Sequence, residues 1–210
     1  MAGDTLVCVA TDLEGALLRR FAIGTGGKVA VIRTGVGPVN AAHAVTLEIT
    51  RARPGAIVVC GIAGAYPGSG LAVGQVASAA SESYGDLGAT SPTGFLDMAA
   101  LGFPLVAGPP PIYNTFLMQL FPTTTRVPFV TMSTCTGVAA LAHAIESRTG
   151  GAVENMEGAA VAHVGHLHGI PVGEVRGISN IVTDRDPRAW RIEEAATAAQ
   201  EALISWLEHR

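Results

Sequence analysis

The stretch KVAVIRTGVGPVNAAHAVTLEI, residues 28–49, decides the fold. An apolar, β-branched run ends at Thr34, the glycine-rich turn GVGP follows, and helical spacing then sets in, with Val39 and Ala42 followed by Leu47 and Ile49. Strand, tight turn and helix in succession make the repeating unit of a parallel sheet. The same alternation continues on both sides. TLVCVA (5–10) reads as a strand followed by the acidic helix start DLEGALLRRF (12–21), and AIVVC (56–60) is a third strand running into GIAGAYPGSG. The order β-α-β-α-β predicts an α/β domain with a mostly parallel sheet and helices on both faces.

Further along, QVASAAS (75–81) and VPFVTMS (127–133) are strand-like, and residues 92–121 read as loop plus a short helix. GVAALAHAIESR (137–148) and EGAAVAHVGHLHG (157–169) are helices, and PVGEVRGIS (171–179) is a strand whose apolar run ends on Ser179 and Asn180. RIEEAATAAQEALISWLEHR (191–210) is an amphipathic terminal helix. Repeats and linkers are missing from the sequence, so residues 1–210 are expected to form one domain.

The composition narrows the partners. Hydrophobic residues make up 49% of the 210 and charged residues 14%, which implies a large interior. The 26 glycines favour close helix-on-sheet packing and short turns. A formal net charge of −4, with no Lys/Arg run, argues against nucleic acid or an anionic membrane as partner. Cys8, Cys60 and Cys135 are odd in number, far apart and set in apolar surroundings, and they read as reduced core thiols of a cytoplasmic protein. The start MAGDTLVCVATDLEG has no basic segment ahead of its apolar run and does not read as a signal peptide.

Several motifs have a plain reading beside a functional one. GVGPVN (35–40) lies where backbone amides bind anions, but it has two of the three glycines of a dinucleotide fingerprint, and a tight strand-to-helix turn accounts for it. His163 and His166 are helical neighbours, but His168 points elsewhere and the set has no carboxylate or cysteine to complete a ligand shell, so neither a metal nor another cofactor is expected. Glu154 and Glu157 flank Met156 at the start of an apolar helix. Acids there suit the helix dipole, yet Asn155 could serve as the cap, which leaves a carboxylate and a thioether free for a sugar.

Taken in order, GVGPVNAAHA, GIAG after a strand, NMEGAAVAHV and VRGISN resemble the nucleoside phosphorylase and nucleosidase superfamily. The resemblance implies a three-layer α/β/α sandwich around a mostly parallel mixed sheet, cleavage of a purine N-glycosidic bond, a small-molecule purine nucleoside as partner, and a homo-oligomer. It further implies that Met156 lies against the ribose, that Glu157 accepts from the 2′- and 3′-hydroxyls, and that Ser179 and Asn180 sit at the purine. Gly61, Ile62, Ala63 and Gly64 would wall base and sugar, and Glu14 would activate water. Phosphorylases of the superfamily carry an arginine two residues before the GIAG-like turn; here that residue is Val59, and the first loop, ATDLEG, is acidic. A hydrolase is therefore expected, with a phosphorylase or a non-catalytic nucleoside binder as the competing readings.

Adenine-directed members use Asp where this chain has Asn180. An amide can donate to O6 of a 6-oxopurine while its oxygen accepts from N7–H, so hypoxanthine or guanine is the expected base, although Asn also suits the turn that opens a loop. Within the superfamily, ENMEGAA together with the ISN ending resembles the futalosine hydrolase branch, which releases hypoxanthine; a methylthioadenosine-type nucleosidase is the alternative there. A 5′ benzoate would need an apolar slot and a cation, for which Phe95, Phe103, Tyr113 and Arg185 are candidates.

Overall fold

The structure, a computed structural model, describes residues 4–209. Residues 1–3 of the segment read as no signal peptide, and Arg210 of the expected terminal helix, lie outside the described residues. The N-terminal half follows the sequence pattern: β1 (Thr5–Val9), α1 (Asp12–Ile23), β2 (Val29–Arg33), α2 (Pro38–Ala52) and β3 (Ala56–Ala65). Then come β4 (Val76–Tyr84), β5 (Gly88–Ser91), β6 (Gly94–Asp97), α3 (Met98–Leu101), β7 (Thr115–Leu117), β8 (Arg126–Thr131), α4 (Ala139–Thr149), β9 (Val153–Asn155), α5 (Gly158–His168), β10 (Val172–Ile181) and α6 (Ile192–Glu208).

β1 pairs in parallel with β2 and β3, β3 with β10, β4 with β8, and β8 with β9. β4 runs antiparallel to β10 and β7, and β9 antiparallel to the end of β3. Since β3, β10, β4, β8 and β9 pair in a closed circuit, part of the mixed sheet curls on itself.

Alternation along the strands builds the layers. Leu6, Cys8, Ile57 and Val59 face one side with Ala41, Val45 and Ile49 of α2 and Ala160 and Val161 of α5. Val7, Val9, Val58 and Cys60 face the other with Leu18 of α1 and Ala199 and Leu203 of α6. Neighbouring strand residues point to opposite faces, so two cores form and the sheet becomes the middle layer. Burying each such Val or Leu contributes roughly 1.5–3 kcal/mol. Among the described residues, no helix is long and apolar enough to cross a membrane.

Five expectations are corrected. The third strand does not stop at Cys60 but continues through Gly61–Ala65, because its partner β10 offers backbone groups along that whole length. The segment 92–121 carries the β5–β6 hairpin strand Gly94–Asp97 and the short β7 besides the short helix α3. On α2 the buried stripe is Ala41, Val45 and Ile49 at i, i+4 spacing, while Val39 and Leu47 are exposed at 80% and 56%. Asn180 is not at a loop start: β10 runs on to Ile181, with Asn180 opposite Gly64. Cys8 and Cys60 are core thiols, but Cys135 is only half-buried.

Candidate active site

The carboxyl ends of β1, β3 and β10 surround a cavity of about 470 Å³, the position at which parallel α/β sheets bind ligands. Ala10 and Thr11 follow β1, Ile62, Ala63 and Gly64 come from β3, and Arg176, Ser179 and Asn180 from β10. The end of β9 adds Glu154 and Asn155, and the turn before α5 adds Met156 and Glu157. Leu13, Val36, Val182, Trp190 and Ile192 supply apolar wall.

Glu14 is placed by the start of α1. Its backbone N–H donates to Thr11 Oγ1, and its Oε2 accepts from Thr11 N and Oγ1 at 3.0 and 2.8 Å, a capping box that stops the helix from fraying. Oε1 accepts from Ile62 N at 2.9 Å, which fixes the carboxylate against β3 at the cavity wall. Asp12, the other acid of that loop, turns outward to Arg19 and Arg33. Gly61 is not a wall residue. A Cβ there would lie 2.3 Å from Glu14 Oε1 and 2.8 Å from Arg176 Nη1, so its bare backbone is what lets both groups close in behind Ile62.

The two acids before α5 have separate fates. Glu154 is committed to the protein: Oε1 accepts from Thr136 N at 2.8 Å, and Oε2 from Tyr66 OH and Thr136 Oγ1 at 2.8 and 2.6 Å. Burial and then this carboxylate push the Tyr66 phenol up. Glu157 Oε1 accepts from Gly37 N at 3.0 Å and Oε2 from Arg176 Nη2 at 3.1 Å, which leaves a lone pair on each oxygen toward the cavity. The GVGP turn thus has a use: Gly35 and Gly37, at φ of 85° and 96°, aim an amide at Glu157. Asn155 Oδ1 accepts from the Glu157 and Gly158 amides, the capping expected of it.

Ser179 and Asn180 both line the cavity although adjacent strand residues normally point apart. The register with β3 shifts between Ile178 and Asn180, and this bulge brings both side chains to one side. Ser179 Oγ donates to Asn180 Oδ1 at 2.8 Å, and Asn180 Nδ2 approaches Ile181 O at 3.3 Å. One acceptor site and one N–H of the amide therefore remain open.

Glu14, Ile62, Ala63, Gly64, Met156, Glu157, Ser179 and Asn180 meet in one cavity. Phe95, Phe103 and Tyr113 do not reach it: Phe95 lies under the Arg148 guanidinium, and Phe103 is 64% exposed. Arg185 stands at the rim, over the Trp190 ring at 4.7 Å and 3.6 Å from Cys135 Sγ. Trp190 and Arg176 were not singled out in the sequence, and Cys135, read there as a core thiol, lines the cavity as well. For Arg176 a signal existed, since Glu174 and Arg176 at i, i+2 in an apolar strand share a face and read as a buried ion pair. His163 stacks on Phe116 at 4.9 Å and shares a hydrogen bond with Tyr84 OH, and burial lowers its affinity for a proton. Among the described residues, no three His, Cys, Asp or Glu side chains cluster as a metal site would need.

The charge of the lining is one-sided. Glu14, Glu154 and Glu157 face a single guanidinium among the described lining residues, and Arg176 is already paired on both sides. Val59 is buried in the core.

The phosphorylase superfamily model matches residues 13–208. A futalosine hydrolase of Streptomyces coelicolor is 38% identical over 198 residues, covering 85% of this chain and 81% of that protein. A futalosine hydrolase of Thermus thermophilus is 32% identical over 189 residues, covering 86% and 80%. Among solved structures, a 5′-methylthioadenosine/S-adenosylhomocysteine nucleosidase of Neisseria meningitidis in complex with methylthio-immucillin-A has a TM-score of 0.84 at 18% identity, covering 99% of each chain. The corresponding nucleosidase of Colwellia psychrerythraea, in complex with adenine, has a TM-score of 0.83 at 19% identity, covering 99% of this chain and 96% of that one. At such identities the structures establish the fold alone.

Proposed function

This chain belongs to the phosphorylase superfamily, and from that premise we propose that it is an N-glycosyl hydrolase that releases hypoxanthine from futalosine, with water as the nucleophile. The observation that carries the reading is the joint presence of Glu14, Glu157 and Asn180 in one cavity whose one cation among the described residues is already paired. Three carboxyl groups against one committed guanidinium disfavour an incoming phosphate dianion and suit a neutral nucleophile.

In this reading the C1′–N9 bond lengthens first and positive charge builds on the ribose. Glu157 accepts from the 2′- and 3′-hydroxyls, and Met156 packs its thioether on the sugar. Water adds to C1′ while Glu14 accepts its proton, the role for which two donors from Thr11 and one from Ile62 hold the carboxylate in place. Asn180 cannot give up a proton. Its N–H donates to O6 and its oxygen accepts from N7–H, so the purine leaves neutral once N7 has taken a proton from solvent, which is replaced when Glu14 returns to solvent the proton of the attacking water. Ser179, hydrogen-bonded to Asn180 Oδ1, holds the amide in that orientation. Ile62, Ala63 and Gly64 wall the base, and Gly61 gives Glu14 its room. Trp190 and Ile192 form an apolar slot with Arg185 at its rim, a match for an aromatic acid on the 5′ side.

We further propose that the chain acts as one domain, as a cytoplasmic homo-oligomer. The test compares futalosine, inosine and methylthioadenosine as substrates of the purified protein. Hypoxanthine from futalosine, with slower turnover of the other two, is expected; adenine from methylthioadenosine as the main product would overturn the base assignment.

A further inference from the structure

Behind Glu157 lies a ring of buried polar side chains, of which Arg176 and Asn155 also line the cavity. Arg176 donates through Nη2 to Glu157 Oε2 at 3.1 Å and through Nε to Glu174 Oε1 at 2.7 Å. On the other side, Asn155 Oδ1 accepts from the Glu157 and Gly158 amides at 2.9 and 2.8 Å, and its Nδ2 donates to Glu82 Oε1. Thr131 Oγ1 donates to Glu82 Oε2 at 2.9 Å and accepts from Ala159 N at 2.8 Å. Glu82 and Glu174 close the circuit carboxyl to carboxyl. Gly158 makes room for their meeting, since a Cβ there would lie 2.1 Å from Glu174 Oε2 and 2.2 Å from Glu82 Oε1.

Both carboxyls are fully buried. Ionised carboxylates only accept, so two in contact away from water need one proton between them. Glu174 Oε2 is the buried side-chain oxygen that, among the described residues, lacks any N–H or hydroxyl donor. A proton on Glu82 is the donor it needs. Burial, and then the neighbouring Glu174, push the Glu82 carboxyl well above the usual carboxylate range; burial raises Glu174 too, but Arg176 beside it works in favour of its anion.

We propose that Glu82 and Glu174, through one shared proton, are positioning residues that hold Arg176 and Asn155, and thereby Glu157, for the ribose hydroxyls. This rests on the reading that Glu157 binds those hydroxyls. Loss of the proton would place a second anion beside Glu174, which competes with Glu157 for Arg176. The groups facing Glu82 are Glu174 on β10, Asn155 on β9, Thr131 on β8 and Tyr84 on its own strand, and Arg176 and Glu157 follow beyond Glu174.

The test compares Glu82→Gln with Glu82→Leu. A Gln amide donates to Glu174 and still accepts from Thr131 at every pH, losing the bond from Asn155 Nδ2, whereas Leu loses all three. Glu82→Leu is expected to lose on the order of 10- to 100-fold in kcat/KM, carried mainly by KM. Glu82→Gln is expected to recover most of that and to lack the alkaline fall in kcat/KM expected of the wild-type protein. The infrared band of a protonated carboxylic acid, present in wild type at neutral pH and gone in Glu82→Gln, reads the proton without any substrate. The proposal is overturned if Gln is as damaging as Leu, if the pH profiles of wild type and Glu82→Gln coincide, or if the wild-type protein lacks that band. Absence of hypoxanthine release by wild type would instead sink the functional reading, while the infrared band still decides the proton.

Discussion

Asn180 stands opposite Gly64 across the β10–β3 ladder, one residue past the bulge at Ser179, and a Cβ on Gly64 would lie 3.2 Å from the Asn180 amide nitrogen. The amide is therefore held from two sides, by a neighbouring hydroxyl and by a strand that only glycine lets come so near. Its donor and acceptor are fixed before any purine arrives, and that is what ties this residue to base choice.

Replacing Asn180 by Asp exchanges a donor for a lone pair where O6 of hypoxanthine would sit. One opposed buried acceptor costs about 1–3 kcal/mol, or roughly 5- to 150-fold. Asn180→Asp is accordingly expected to lose that much in kcat/KM on inosine relative to adenosine. Unchanged relative rates on this pair would refute the assignment.

Glu14→Gln keeps the size of the side chain but not its basicity, and its NH₂ would confront either Ile62 N or the Thr11 donors. A fall of about 10²–10⁴-fold in kcat is expected, with KM little changed, since the lost function is proton transfer. Weakening the capping box also lowers stability by about 0.5–2 kcal/mol, which a melting curve of the variant measures separately. A kcat within a few-fold of wild type would remove Glu14 from the chemistry.

Gly61→Ala places a methyl 2.3 Å from Glu14 Oε1, closer than atoms can approach, although Gly61 itself does not line the cavity. Both Glu14 and Arg176 must shift, so kcat is expected to fall by on the order of 10²-fold. Kinetics beside a melting curve check this: a folded Gly61→Ala protein with wild-type kcat would show that Glu14 need not sit where it does.

The raised Glu82 carboxyl also governs stability against pH. Its folded-state affinity for a proton exceeds the ordinary value of 4.5, so above that pH the folded protein binds more protons than the unfolded chain. Stability is then greatest below the unfolded value and declines as pH rises toward the folded one. Gln at this position does not titrate, so urea midpoints of Glu82→Gln should fall less than those of wild type as pH rises above the ordinary value of 4.5. Parallel pH dependences for the two proteins would contradict the buried proton.

The layers of this fold are legible in the sequence because β1, β2 and the first half of β3 are short apolar runs separated by helical spacing, and alternation within Leu6–Val9 assigns each side chain to a face. Gly61–Ala65 was hidden as strand because glycine and alanine carry weak strand preference; pairing with β10 overrides it. β9 spans only Val153–Asn155, too short to show a period. At the site, Glu157 and Met156 were readable from an acid and a thioether with no structural need to be there. The bulge that turns both Ser179 and Asn180 inward was not, since a register shift depends on the partner strand rather than on the residues that bulge. Nor was the contact of Glu82 with Glu174, 92 positions apart, because nothing in ASESY marks its one acid as buried.

The central claim is tested most directly by incubating the purified protein with futalosine in buffer free of phosphate and separating the products. Hypoxanthine together with dehypoxanthine futalosine, formed at a rate that added phosphate leaves unchanged, is the predicted result. Base release that requires phosphate and yields a ribosyl phosphate ester would contradict it, and would mean that a site with three lining carboxyls and a committed arginine admits phosphate after all.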